Sequence, residues 1–168
     1  MPKIGMEPIR RKALIDAAIA AIGDRGALDV TVSDIAGRAG VSRALAHHYF
    51  GGKDDMFLAA MRHTLTVYGA EVRGALAMAR TPRDRVEAVV RAGFGPANFR
   101  PEVVAAWLNF WVLARTHPGA ARLLRIYQHR LRSNLMAGLR PLIGTQARDV
   151  ADRIGALIDG LYLRQGLD

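Results

Sequence analysis

Two groups of residues in this 168-residue chain have the types and the spacing to do chemistry. The first lies in residues 32–50, where Ala36 is followed four positions later by Gly40, and then by Val41, Ser42 and Arg43. Two helices that cross steeply need a small residue where they nearly touch, and the turn between them needs a residue tolerant of positive φ. With Ile35, Val41 and Leu45 placed to fill the shared core, this is a helix-turn-helix pattern. The second helix of such a pair enters a DNA major groove with its first turns against the base edges. There Arg43, Ala44 and His47 would face bases, and Arg43 can grip guanine O6 and N7 with two donors. The alternative for Arg43 is a solvated side chain near a helix start. Thr31 either offers its N–H and hydroxyl to a phosphate at a helix N-terminus or simply caps the helix. In the second group, Trp107 and Trp111 stand four apart on one helix face, flanked by Asn109 and Phe110. Asp159 interrupts the apolar stretch 156–161. Paired indoles are either ordinary core or a receptor for a weakly hydrated cation, each contact contributing about 0.5–2 kcal/mol. Asp159 needs a partner if buried, drawn from Arg130, Arg132, a tyrosine hydroxyl or a ligand cation; otherwise it is an exposed edge position. Tyr127 and Tyr162 are either cage walls or core.

Positioning these groups falls to helices, since every long periodic stretch has the helical period and no strand or hairpin signal emerges. Residues 8–24 start at Pro8, set Ile15, Ala18, Ile19 and Ile22 on one face, and stop at Gly26. Thr31-x-x-Asp34 opens a short helix over 32–39 in the style of a capping box, Gly40 ends it, and Ser42 caps the next as far as Phe50. Gly51-Gly52 precedes a long helix over 53–79 that buries Phe57, Met61, Leu65 and Tyr68. Thr81-Pro82 starts a helix with Val86, Val89 and Val90, and residues 101–116 form another with Val104, Trp107, Leu108 and Trp111. Beyond His117-Pro118-Gly119 a long helix carries Leu124, Tyr127, Leu131 and Leu135. The last, over 147–163, aligns Val150, Ile154, Leu157, Ile158 and Leu161. The expectation is an all-α chain of eight helices: a three-helix DNA-binding domain over 1–52, and a helical effector-binding and dimerisation domain over 53–168.

Composition narrows the function classes. Without cysteine there is no disulfide scaffold, thiol catalysis or cysteine zinc site. The five histidines show no metal-binding spacing, and neither a phosphate-binding glycine loop nor a Gly-x-Ser-x-Gly elbow occurs, so neither an enzyme nor a cofactor is expected. The net charge of +9 sits mostly outside the motif: residues 1–63 hold nine basic and seven acidic side chains. It speaks for solubility and a general attraction to polyanions. No run of about 18 apolar residues exists to span a membrane, and a cytosolic protein is expected. A helical adaptor without DNA function is the competing reading from another class.

The stretch resembles the TetR family of bacterial regulators through Thr31-x-x-Asp34-Ile-Ala, Ala39-Gly-Val-Ser42 and His48-Tyr-Phe-x-x-Lys53. The likeness extends to the opening eleven residues, Ala106-Trp-Leu-Asn-Phe-Trp111, Arg132-Ser-Asn-Leu135 and Ala156-Leu-Ile-Asp-Gly-Leu-Tyr-Leu-Arg164, which are similar to choline-responsive members that repress glycine-betaine synthesis. It is weakest across 66–100 and 114–126. The resemblance implies a repressor whose operator affinity responds to a small cationic effector such as choline; the alternative within the fold is a sensor of an unrelated amphipathic ligand. Its implied DNA-binding positions are Thr31, Ser42, Arg43, Ala44, His47, His48, Tyr49 and Lys53, with His48, Tyr49 and Lys53 toward the backbone, although Tyr49 also reads as plain core. Its implied ligand positions are Trp107, Phe110, Trp111, Tyr127, Asp159 and Tyr162. One helix-turn-helix makes too few contacts for tight specific binding, so a homodimer on a near-palindromic operator is expected, paired through helices over 124–139 and 150–163. Family members usually carry one more helix after the counterpart of Leu163, so the expected interface is one helix short.

Overall fold

Helical periodicity becomes helix along nearly the whole chain. The computed structural model describes residues 5–25 and 29–167, with α1 (Met6–Arg25), α2 (Val32–Arg38), α3 (Arg43–Phe50), α4 (Lys53–Met78), α5 (Pro82–Gly93), α6 (Pro101–Leu113), α7 (Pro118–Ile143) and α8 (Ala147–Leu167). A single 3-10 turn, Gly144–Gln146, joins the last two. The starts have local causes. Thr31 and Thr81 each close a capping box with the aspartate three residues on, and Pro82, Pro101 and Pro118 sit in first turns, where a missing N–H does no harm. Three ends differ from the sequence reading by two residues or more: α1 begins two residues before Pro8, α6 ends at Leu113 rather than at 116, and α8 continues to Leu167 rather than stopping at 163. The expected stop at Gly26 lies outside the described residues.

The core is continuous from end to end. Leu14 and Ile22 of α1, Phe57 and Met61 of α4 and Phe110 of α6 are all fully buried, so α1 packs on the helices of both halves of the chain. Because α1 meets three helices, α2, α4 and α6, its buried arc is wide: Leu14 is fully buried whereas Ile15 is half-buried. Gly23 makes the α1–α6 crossing possible, since a methyl group there would collide with Cβ of Glu102 and lie 2.7 Å from its Cα.

The stripe expected on α8 splits. Ala151, Ile158 and Tyr162 turn inward, while Leu157, Leu161 and Leu163 stay exposed. Apolar periodicity locates a stripe and is silent on whether it covers its own core or a second surface.

Candidate nucleic-acid interface and ligand cage

The turn between α2 and α3 is built as its glycine demands. Gly40 has φ +67°; its N–H donates to the Gly37 carbonyl at 3.2 Å, and the Val41 N–H reaches back to Ala36 at 3.0 Å, a Schellman closure. Ile35 and Ala36 are buried beneath it and Val41 is half-buried against the same core, whereas Leu45, expected to fill that core, is half-buried outside it. Ser42 caps α3 by accepting from the Leu45 N–H at 3.2 Å. The helix buries Ala46 and turns Arg43, Ala44 and His48 to solvent.

The other expected contact positions are more constrained. The Thr31 N–H and hydroxyl both donate to the Asp34 carboxylate, at 2.9 and 2.8 Å, holding that carboxyl below the usual range. The donors expected to meet phosphate are therefore engaged within the chain. His47 is half-buried, and its Nδ1–H donates to the Gly51 carbonyl at 2.6 Å. A carbonyl only accepts, so Nδ1 carries a proton in this contact, and in a neutral imidazole Nε2 is then an acceptor. Tyr49 is half-buried beneath Arg11 of α1, whose guanidinium donates to the Tyr49 carbonyl at 3.1 Å and lies 4.7 Å from the Phe50 ring centre. Arg11 thus props the end of α3, a role hidden in the sequence because α1 is far away along the chain. Lys53 stands half-buried at the start of α4.

A cage forms where α4, α6, α7 and α8 meet. Trp107 is its hub, with ring centres of Tyr127 at 4.8 Å, Trp111 at 5.8 Å and Tyr162 at 6.3 Å; Tyr68 closes on Tyr127 at 6.0 Å. Thr64, Gly93, Asn98, Ile158 and Asp159 complete the wall around about 10 Å³, room for one water. Five expected residues come together here: Trp107, Trp111, Tyr127, Asp159 and Tyr162. Phe110 does not. Three positions on from Trp107, it turns into the core and packs edge-on against Phe57. Tyr68 carried no signal beyond its place on an apolar helix face, and Asn98, in the link between α5 and α6, reads in sequence as a turn residue.

Burial pushes the Asp159 carboxyl up to about 6 and the Tyr68 hydroxyl up to about 12; it also raises Tyr127 and Tyr162. The phenols stay neutral at pH 7, leaving Asp159 as the one charge on the cage wall. No hydrogen bond or ion pair among the described residues reaches it, and Arg132, one expected partner, pairs with Asp152 instead. An ionised carboxylate amid aromatic faces is a receptor for a cation that needs no hydrogen-bond acceptor.

Fold and surfaces together define a helix-turn-helix transcriptional regulator. Residues 14–60 match the model of the bacterial regulatory proteins of the tetR family, and residues 82–168 match that of the BetI-type transcriptional repressor C-terminal domain. The chain belongs to the TetR family. Among its relatives, the HTH-type transcriptional regulator BetI of Brucella suis is 54% identical over 99% of this chain and 85% of that protein. The chain is accordingly a DNA-binding repressor of this type and not an enzyme. A TetR transcription regulator from Haloarcula marismortui superposes with a TM-score of 0.84 at 20% identity, over 94% of this chain and 86% of that one. A protein of Saccharomonospora viridis solved in complex with choline gives 0.77 at 24% identity, over 92% and 83%. Family members bind DNA operators, typically as dimers with small-molecule effectors. No helix among the described residues is long and apolar enough to cross a membrane.

Proposed function

We propose that the chain is a cytoplasmic homodimeric repressor that releases a near-palindromic operator when a small quaternary ammonium compound, choline or a close relative, enters the aromatic cage. The observation that carries this reading is the unpaired Asp159 carboxylate among Trp107, Trp111, Tyr127 and Tyr162. The BetI names of relatives more than half identical, and the choline bound by the Saccharomonospora viridis protein, support the ligand class. A larger cavity of about 310 Å³ lies next door between α4 and α7, but Arg73 and Arg130 line it without an acid, the wrong sign for a cation.

On the DNA side, residues 1–52 are the reading unit and 53–168 the effector and dimer unit. Arg43 and Ala44 face base edges, and His47 offers Nε2 as an acceptor to an exocyclic base amine. Ser42, His48, Tyr49 and Lys53 lie along the backbone, and Thr31 reaches phosphate only by exchanging Asp34 for it. Two α3 helices about 34–36 Å apart would meet successive major grooves. The exposed Leu157, Leu161, Leu163 and Leu167 give α8 an apolar surface for a partner.

The cage couples to this spacing because its own walls nearly fill it. A ligand larger than water must part its walls, and α6, which carries both indoles, abuts α1 at Gly23 while α4, which carries Tyr68, starts beside α3. A coupling of about 1–3 kcal/mol changes operator affinity about 5- to 150-fold. Titrating choline into a fluorescent operator complex tests the reading. Release at saturating choline is expected; unchanged affinity would defeat the choline assignment.

A further inference from the structure

The cage holds one polar side chain that neither the fold nor the cation accounts for. Asn98 is only 4% exposed, yet it lies in the link between α5 and α6 and lines the cavity. Its amide group is oriented without ambiguity. The Nδ2 group donates to the Glu71 carboxylate and, at 3.0 Å, to the Ala92 carbonyl; both partners only accept, so the NH₂ must face them. Both of its hydrogens are thereby used, and the carbonyl oxygen points elsewhere. No donor among the described residues reaches that oxygen, and yet no sealed polar side-chain atom there lacks a partner. The oxygen therefore keeps some accessible surface, on a residue that lines the cavity.

The mount is rigid. The Tyr162 hydroxyl is shared between the carbonyls of Gly93 and Asn98, the latter at 3.2 Å, and the Asn98 N–H donates to Gly95 at 2.9 Å. When the cage opens, half-buried Trp111 and Tyr68 are the walls able to move, and Asn98 is a wall that stays.

We infer that Asn98, positioned by Glu71, reads the end of the ligand remote from its cationic nitrogen: it accepts a hydrogen bond from a hydroxyl and rejects a carboxylate. This rests on the cage reading above. A quaternary ammonium alcohol places its nitrogen by the indoles and Asp159 and its hydroxyl proton on the free oxygen. The corresponding acid presents a carboxylate to that oxygen, with Glu71 behind it and Asp159 on the same wall.

The test uses the full chain, whose only tryptophans, Trp107 and Trp111, both sit in the cage and report binding by fluorescence. Three probes share a trimethylammonium head: choline, ethyltrimethylammonium, which lacks the hydroxyl, and glycine betaine, which carries a carboxylate. The wild type should prefer choline to ethyltrimethylammonium about five- to tenfold, the effect of one hydrogen bond, and to glycine betaine at least about a hundredfold. Asn98→Leu should abolish the first preference by weakening choline alone. Glu71→Gln, which keeps an acceptor for the amide, should retain the first preference and relax the second. Equal wild-type binding of choline and ethyltrimethylammonium overturns the inference and leaves the cage standing. A wild type that binds none of the three overturns both. An Asn98→Leu chain that weakens both cations by one factor assigns Asn98 to the fold and also overturns it.

Discussion

At neutral pH the Asp159 carboxylate is ionised at an energetic cost, because burial has raised its pKa to about 6 from 3.8. The folded state therefore holds on to a proton that the unfolded state releases, and the contribution of this group to stability falls as pH rises from about 4 to about 6. Asp159→Asn removes the effect. The variant should melt higher than the wild type at pH 7, with the gap vanishing below about pH 4 in a thermal-melt series. The same substitution should abolish choline binding. In the wild type, choline affinity should decline below pH 6, approaching about tenfold per pH unit, because the bound cation favours the ionised form. On the DNA side, Arg43→Ala should flatten sequence preference, whereas Lys53→Ala should weaken all duplexes alike and lower the salt slope by about one. Binding isotherms on operator and scrambled DNA at several salt concentrations separate the two.

Elements explain why some of this is legible in sequence and some is not. Helix starts are written locally, in Thr31 with Asp34 and in Thr81 with Asp84, and so is the turn at Gly40, whose positive φ any other residue would find strained. Gly40→Val should lower stability by about 1–2 kcal/mol and abolish operator binding while the cage still quenches with choline. The cage was half legible. The i, i+4 indoles and a lone aspartate in an apolar stretch mark chemistry, but Phe110 shares their segment and faces the core, because a helix face is only as wide as its neighbours allow. Tyr68 and Asn98 were hidden for opposite reasons: one looks like core, the other sits in a link without periodicity. Gly23 belongs to the same class, since its need appears only when α6 crosses α1. Gly23→Ala should force these helices apart and shift operator affinity without ligand, measurable against an unchanged set of cage fluorescence titrations.

For the whole molecule, the small cage is built on helices that pack directly against the DNA-reading unit. α1 packs on both α4 and α6, and one continuous core joins the two halves, so the cage cannot widen without a strain that α1 feels. In the proposed dimer the exposed leucines of α8 would meet a second copy, and small tilts there would change the separation of the two α3 helices. The most direct measurement is operator affinity against choline concentration for the wild type and Asp159→Asn side by side at pH 7.5. The account predicts that choline weakens wild-type binding about 5- to 150-fold and leaves the variant, which still binds operator, unmoved. Equal release from both proteins, or from neither, would contradict it.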